Sequence, residues 1–140
     1  NLLTIQRRNC VFFVHDSTRS PLLATCLTKP DFAELDWWFQ DALMNTLLKS
    51  GANQAQMDAA ESALAELVCD LECDRSVQAT MNRMGQDLEH QIWYNRLSIS
   101  DLAPYRTGAW LAERPCTVKG VKGAIWPQRE MLALLDTINR

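Results

Sequence analysis

Four polar side chains in the middle of the chain have the types and the spacing of a small chemical site. Arg83, Asp87, His90 and Tyr94 follow one another at steps of four, three and four, which places them on one face of an α-helix. In such a site Arg83 would hold an anion, and Asp87 would orient His90 as an acid or a base near neutral pH. The alternative is a solvated helix face with an Arg83–Asp87 ion pair. We favour this alternative, because the sequence defines no second catalytic group.

The run His15-Asp16-Ser17 contains the residue types of a hydrolase triad. The members of such a triad converge from separate places in a fold, and three adjacent residues cannot reproduce that geometry. Asp16 and Ser17 are typical turn residues. The run therefore predicts a turn between two strands, and we assign no catalytic residue to it.

The cysteines are candidate metal ligands and candidate disulfide partners. Their number is odd and their spacing irregular, which argues against a disulfide scaffold; they are Cys10, Cys26, Cys69, Cys73 and Cys116. Cys69 and Cys73 could bind a metal with His15 or His90, but the chain has no Cys-x-x-Cys pair and no histidine pair. We therefore predict no metal site and no cofactor. Buried thiols in a reducing compartment, the cytoplasm, are the expected arrangement.

The helix that would carry the four polar residues also has an apolar stripe. Steps of four, three, four and four separate the residues of this stripe, which are Val77, Met81, Met84, Leu88 and Ile92. Asp74 or Ser76 can cap the first turn. Gly85 lies inside the helix, where glycine costs about 1 kcal/mol relative to alanine, so a close packing contact or a slight kink is expected there.

A family resemblance rests on the start of this helix and on the N-terminal strands. Arg75, Ser76, Met81 and Asn82 form an Arg-Ser-x-x-x-x-Met-Asn segment, downstream of a hairpin made by Asn1-Leu2-Leu3 and by residues 7–14. In this pairing the chain resembles an uncharacterised bacterial domain family, described only as a domain of unknown function. The resemblance covers about the first two thirds of the chain, with Ala79 where the family usually has glycine. It implies no known activity.

Two roles are open for Arg75, Ser76 and Asn82. As structural residues they would cap the helix and hydrogen-bond to the backbone of the adjacent sheet or link, so that Asn82→Ala lowers the melting temperature. As a binding site they would leave the stability of Asn82→Ala nearly intact. We favour the structural role, and keep as candidate binding residues Arg75, Ser76, Asn82, Arg83, Asp87, His90 and Trp37. Trp37 lies off the stripe of an earlier helix, where it either anchors a partner or, as we favour, flanks the core.

The remaining patterns predict an α+β fold. Leu2–Gln6, Cys10–Val14 and Leu22–Leu27 have the composition of strands, with a turn at Arg7-Arg8-Asn9. Helices are predicted from the Thr28 cap to Ser50-Gly51, from Asn53 to about Leu71, and from Pro127 to the end. The segment after Leu97 is predicted to be irregular, with a short strand or hairpin within Thr117–Trp126. The expected architecture is a small antiparallel β-meander packed against three main helices, followed by an irregular segment and a terminal helix.

The length and composition are those of a single globular domain. Apolar residues make up 47% of the 140 residues and charged residues 22%. We divide the domain into a β-meander at 1–28, a helical core at 29–97, and an irregular segment with a closing helix at 98–140. No apolar run approaches the roughly 18 residues that a membrane span needs, so no membrane is expected as a partner.

The charge is unevenly distributed along the chain. Residues 1–30 carry +3, residues 31–74 carry −9 and residues 75–140 carry +3, giving the net charge of −3. Together with the five tryptophans this favours a non-enzymatic binding or regulatory module with a protein partner, a homo-oligomer being the first case. The alternative is a nucleic-acid-binding protein or small nuclease that uses His15 or His90 and a basic surface formed by Arg7, Arg8, Arg19, Lys119 and Lys122.

Overall fold

A three-stranded antiparallel sheet begins the chain. The computed structural model describes residues 2–64, 75–118 and 122–138. Its strands are β1 (Leu2–Ile5), β2 (Arg8–Val14) and β3 (Pro21–Leu27), in the order β1-β2-β3. Gln6 and Arg7, with φ of 51° and 65°, form the two-residue turn between β1 and β2. The turn therefore comes one residue earlier than predicted, because two left-handed residues suffice to close the hairpin.

Both faces of the sheet are covered, in agreement with the continuous apolar run Cys-Val-Phe-Phe-Val of β2. Phe12 and Leu23 belong to a cluster with Met84, Leu88 and Ile92, which covers one face. On the other face Val11, Ala24 and Leu27 contact an apolar group formed by Phe13, Phe32, Leu35 and Trp38. The pairing of β2 with β3 shifts register between Asn9 and Val11, next to Cys26 of β3 with φ of 56°. Such a bulge increases the local twist of the two strands.

The first predicted helix is divided in two. α1 covers Lys29–Ala33 and α2 covers Leu35–Lys49. The Asp31 carboxylate accepts hydrogen bonds from the Thr28 backbone N–H at 2.7 Å and from its hydroxyl at 2.9 Å, and these bonds lower the pKa of Asp31. The Glu34 N–H donates a hydrogen bond to the Asp31 carbonyl at 3.0 Å. Glu34 itself has φ −109° and ψ 32°, which is not helical and separates α1 from α2. The continuous apolar stripe did not reveal this break.

α2 ends as predicted, and the next helix begins as predicted. Gly51, with φ of 87°, lets the Ala52 N–H bond to the Leu47 carbonyl at 3.0 Å. Asn53 and Gln56 then exchange backbone-to-side-chain bonds of 2.8 and 2.9 Å at the start of α3 (Gln54–Ala63). This helix ends at Ala63, where Leu64 has an extended ψ of 127°, and the rest of the predicted helix up to Leu71 lies outside the described residues.

The segment that follows the long helix α4 (Arg75–Tyr94) is more regular than predicted. It contains a 3₁₀ turn at Ile99–Asp101 and the helix α5 (Pro104–Ala112), which packs on β3 and α2. The predicted short hairpin is formed by β4 (Cys116–Thr117) and β5 (Ala124–Ile125). α6 (Pro127–Ile138) closes against α3, and the Gln56 side chain donates to the Leu132 carbonyl at 3.2 Å. In the described part of the chain, no helix has the length and apolarity to cross a membrane.

Candidate functional site

The two faces of α4 are arranged as the spacing predicted. Val77, Met84, Leu88 and Ile92 are buried and Met81 is half-buried, so the apolar stripe faces the core. On the opposite side Arg83, His90 and Tyr94 are exposed and Asp87 is half-buried. The helix thus presents its four polar residues toward solvent.

These four residues do not assemble as an acid–base site. The Asp87 carboxylate pairs with Arg114 of the chain after α5, at 3.7 Å from its Nε, and the Arg114 guanidinium also lies 5.2 Å from the Trp110 ring centre. Asp87 therefore ties α4 to α5. None of the hydrogen bonds within the described ranges joins Asp87 to His90. The favoured solvated face is the arrangement found, although the partner of Asp87 is Arg114 and not Arg83.

The C-terminal end of α4 carries an exposed aromatic cluster, which we define as His90, Trp93 and Tyr94. Trp93 is 76% exposed and Tyr94 is 71% exposed. The His90 ring stacks on Tyr94 at 6.0 Å between centres and lies 6.2 Å from Trp93. The sequence placed Tyr94 on the polar face, but it did not distinguish Trp93 as an exposed residue.

The aromatic cluster stands on a rigid base. Arg96 has φ of 53°, and the Leu97 N–H bonds back to the Ile92 carbonyl at 3.0 Å, which closes the helix end. The side chain of Gln6, from the β1–β2 turn, donates to the Leu97 carbonyl at 2.9 Å and accepts from the Ile99 N–H at 2.8 Å. The last turn of α4 is therefore held from two sides.

The Arg-Ser-x-x-x-x-Met-Asn segment lies in the first two turns of α4. Arg75 is exposed, and the Ser76 hydroxyl accepts a 2.9 Å hydrogen bond from Nη2 of Arg19. Asn82 is exposed, and its carbonyl oxygen accepts from the Gln78 side chain at 3.0 Å. The predicted bonds to the backbone of the sheet or link are not among these contacts, because Ser76 bonds to the Arg19 side chain and Asn82 to the Gln78 side chain. The capping role predicted for the start of the helix involves residues before Arg75, which lie outside the described residues.

Arg19, which the nucleic-acid alternative assigns to a basic surface, is buried. It is only 4% exposed, and its Nε and Nη1 have no hydrogen-bond partner. The turn residues around it predicted the loop correctly, but not the inward direction of the side chain. Its φ of 61° and the 2.8 Å bond from its N–H to the His15 carbonyl set that direction.

His15 organises this loop. Its Nδ1 accepts from the Thr18 N–H at 3.3 Å and lies 2.9 Å from the Thr18 hydroxyl, while the His15 N–H bonds to the Ser20 carbonyl at 3.0 Å. Burial lowers the pKa of His15, against an opposing effect of Asp16. Ser17 approaches the same ring nitrogen at 3.4 Å. The contacts are those of a turn, as predicted.

A separate cleft lies between α2 and α3. It has a volume of about 330 Å³ and is lined by Trp37, Gln40, Asp41, Met44, Asn45, Glu61 and Leu64. Trp37 is 56% exposed and stands edge-on to Trp38 at 5.1 Å, so it faces solvent and does not flank the core. The Tyr105 hydroxyl donates to the Asp41 carboxylate, and this bond raises the pKa of Tyr105 to about 12.

Comparison with known proteins identifies the family of the chain. A family model described as a domain of unknown function, DUF6933, matches residues 1–130. The chain belongs to this family. The match extends well beyond the first two thirds of the chain that carry the resemblance in the sequence. No curated protein and no solved structure matches the chain.

In this DUF6933 domain the thiols that the structure describes, Cys10, Cys26 and Cys116, form no disulfide. Burial raises the pKa of Cys116, while the charges of Arg19 and Arg83 lower it. Cys69, Cys73 and Lys119 lie outside the described residues. Within the residues that are described, His, Cys, Asp and Glu form no group of three able to hold a metal ion.

Proposed function

We propose that the protein is a non-enzymatic binding or regulatory module that acts through contact with a protein partner, a second copy of the chain being the first to test. The observation that supports the proposal is the aromatic cluster of His90, Trp93 and Tyr94. Tryptophan and tyrosine are enriched among the interface residues whose truncation to alanine weakens binding most. Trp93 and Tyr94 are both largely exposed in this domain, so a partner can contact them.

The rigid base of the cluster strengthens this interpretation. An anchor that is already ordered loses little conformational entropy when a partner binds. The Gln6 bonds to Leu97 and Ile99 hold the backbone that directly follows the last turn of α4, the turn that carries Trp93 and Tyr94. Each aromatic side chain can cover about 150–250 Å² when it is buried, so two together can form the centre of a small interface.

An enzymatic role has less support from the same helix. Asp87 is committed to Arg114, and the His90 ring stacks on its aromatic neighbours. A general base needs a group that orients it and a reacting atom within hydrogen-bond reach. We also place the module in the cytoplasm, since free thiols at Cys10, Cys26 and Cys116 suit a reducing compartment.

Sedimentation velocity over a wide concentration range tests the proposal. We expect concentration-dependent association that the double variant Trp93→Ser, Tyr94→Ser abolishes. The matched control is Leu48→Ser on α2, because Leu48 is also a large apolar residue, 58% exposed, and lies outside the cluster. If the wild type is monomeric at every concentration, the same three proteins are compared in a lysate pull-down for their retention of partner proteins. Equal retention of partners by the wild type and the double variant would refute the proposal.

The nucleic-acid alternative predicts a different result in that pull-down. Of the bases assigned to it, Arg7, Arg8 and Lys122 are exposed, but Arg19 is buried and cannot meet a polymer. Nucleic acid held by the remaining bases would be released steeply as the salt concentration rises. Retention of this kind, unchanged in the double variant, would favour the alternative.

A further inference from the structure

The Arg19 guanidinium is a positive charge enclosed by protein with most of its donors unused. Nη2 donates to the Ser76 hydroxyl at 2.9 Å, while Nε and Nη1 are closed to solvent and lack partners. Arginine remains charged inside proteins, and an enclosed charge without a counter-charge is strongly unfavourable. Within the described ranges, no carboxylate pairs with Arg19. A bound anion would supply the negative charge that the described residues do not.

The surroundings of Arg19 add further positive potential. Its contact with Ser76 places the guanidinium at the first turn of α4, a helix of 20 residues, and the N-terminus of a helix favours negative charge. Arg83, two turns along α4, lies near enough that its charge and that of Arg19 both act on the Cys116 thiol. No ion pair of Arg83 occurs among the residues that the structure describes.

We propose that Arg19, with Ser76 and Arg83, binds a small oxyanion of the phosphate class. Arg19 would supply Nε–H and Nη1–H donors, and Arg83 would supply a second charge. The ligand must be small, because Arg19 is only 4% exposed and its chain neighbours Thr18 and Ser20 are also buried. The proposal uses none of the residues of the aromatic cluster, whose nearest member His90 lies about 21 Å from Ser76 and about 10 Å from Arg83 along α4, at 1.5 Å per residue.

The burial of the donors also predicts how the ligand enters. Because Nε and Nη1 are closed to solvent, the oxyanion can reach them only when the surrounding side chains open locally. We therefore expect inorganic phosphate to bind more tightly than a sugar phosphate, whose organic part would have to be enclosed as well. Comparison of these two probes distinguishes a free oxyanion from the phosphoryl group of a metabolite.

Thermal unfolding of the whole chain in potassium phosphate, compared with potassium chloride at equal ionic strength, is the first test. A phosphate concentration about a hundredfold above the dissociation constant should raise the melting temperature by roughly 5–10 °C. Phosphate also stabilises proteins in general by exclusion from their surfaces. The rise in melting temperature in phosphate over chloride is therefore compared between wild type and Arg19→Met. This substitution removes the charge but keeps much of the side-chain length.

The control is Arg75→Met, which removes an exposed charge one residue from Ser76. We expect Arg75→Met to keep the phosphate-specific shift and Arg19→Met to lose it. If Arg19→Met does not fold, titration calorimetry with inorganic phosphate on the exposed-site variant Arg83→Met replaces it, with an expected affinity loss of about tenfold for one removed charge contact. Equal melting of the wild type in phosphate and chloride would overturn the proposal. So would a phosphate-specific shift that persists in Arg19→Met, or an Arg83→Met affinity equal to that of the wild type.

Discussion

Two glycines inside helices predict opposite effects for the same substitution. An added Cβ at Gly85 of α4 meets nothing within 4 Å in the described part of the chain. An added Cβ at Gly108 of α5 would lie 3.3 Å from Cγ2 of Thr46 and 3.4 Å from the Pro21 carbonyl oxygen. Among the described residues, Gly85 therefore lacks the close contact that the sequence suggests for it, whereas Gly108 has such a contact. We expect Gly85→Ala to stabilise the protein and Gly108→Ala to destabilise it.

The magnitudes follow from helix propensity and from packing. Alanine in place of glycine favours a helix interior by about 1 kcal/mol, and Gly85→Ala should gain that amount in the free energy of unfolding. At Gly108 the same gain is opposed by an overpacking cost of about 1–3 kcal/mol, since Cγ2 of the buried Thr46, at 3.3 Å, must move and the Pro21 carbonyl of β3, at 3.4 Å, is already in contact. The net loss is about 1 kcal/mol. With an unfolding entropy of about 2.1 cal/mol/K per residue, these changes move the melting temperature of 140 residues by about +3 and −3 °C.

Calorimetry of both variants, supported by urea unfolding, measures these differences. The double variant Gly108→Ala, Thr46→Ala provides the internal control. It removes Cγ2 and also the Thr46 hydroxyl, a buried group without a hydrogen-bond partner. We expect Thr46→Ala to reduce the cost of Gly108→Ala, which appears as a coupling energy in the double-mutant cycle. Equal and favourable effects of alanine at positions 85 and 108 would refute the packing argument.

The remaining predictions concern titration and polar contacts. Burial lowers the pKa of His15, so below about pH 6.5 the unfolded protein binds more protons at this residue than the folded protein does, and the free energy of unfolding should decrease as the pH falls. His15→Gln should make the melting temperature less dependent on pH between about pH 7 and 5.5. Asp41→Asn should lower the pKa of Tyr105 from about 12 toward 10, as followed by tyrosinate absorbance; an unchanged value would contradict the Asp41 bond. Ser76→Ala should lower the free energy of unfolding by about 1.5–3 kcal/mol in urea, since it removes a bond to a charged group, whereas Asn82→Ala on the exposed face should change it by less than about 0.5 kcal/mol.

The parts of the fold that depend on local patterns were predictable. The apolar stripe of α4, the Gly51 helix end and the Asn53 helix start each follow from residues within a few positions of one another. Pro104 and Gly108 are typical breakers of regular structure, so the sequence predicts an irregular segment where α5 is found. Pro104 is instead the first residue of that helix, a position where proline is favourable, and Gly108 meets a tertiary contact.

The candidate sites depended on long-range contacts, and here the sequence was less informative. Helical spacing placed Arg83, Asp87 and His90 on one exposed face, but it did not show that Asp87 pairs with Arg114. Arg19 meets Ser76 across 57 positions of sequence, and no local pattern distinguishes an inward arginine from an outward one in a turn. Such contacts are set by how the loop and the helix pack together.

The Gln6 bonds also impose an order on folding during synthesis. Their acceptor and donor, the Leu97 carbonyl and the Ile99 N–H, lie 91 and 93 positions later in the chain. At about 5–20 residues per second a ribosome needs roughly 5–20 s to make that length. Met84, Leu88 and Ile92, which cover the face of the sheet that contains Phe12, also come late in the chain. The β1–β2 hairpin can form early, but for that interval the face that contains Phe12 lacks its apolar cover and Gln6 lacks its hydrogen-bond partners. The strands that come first in the described chain are therefore among the last elements to be fully packed.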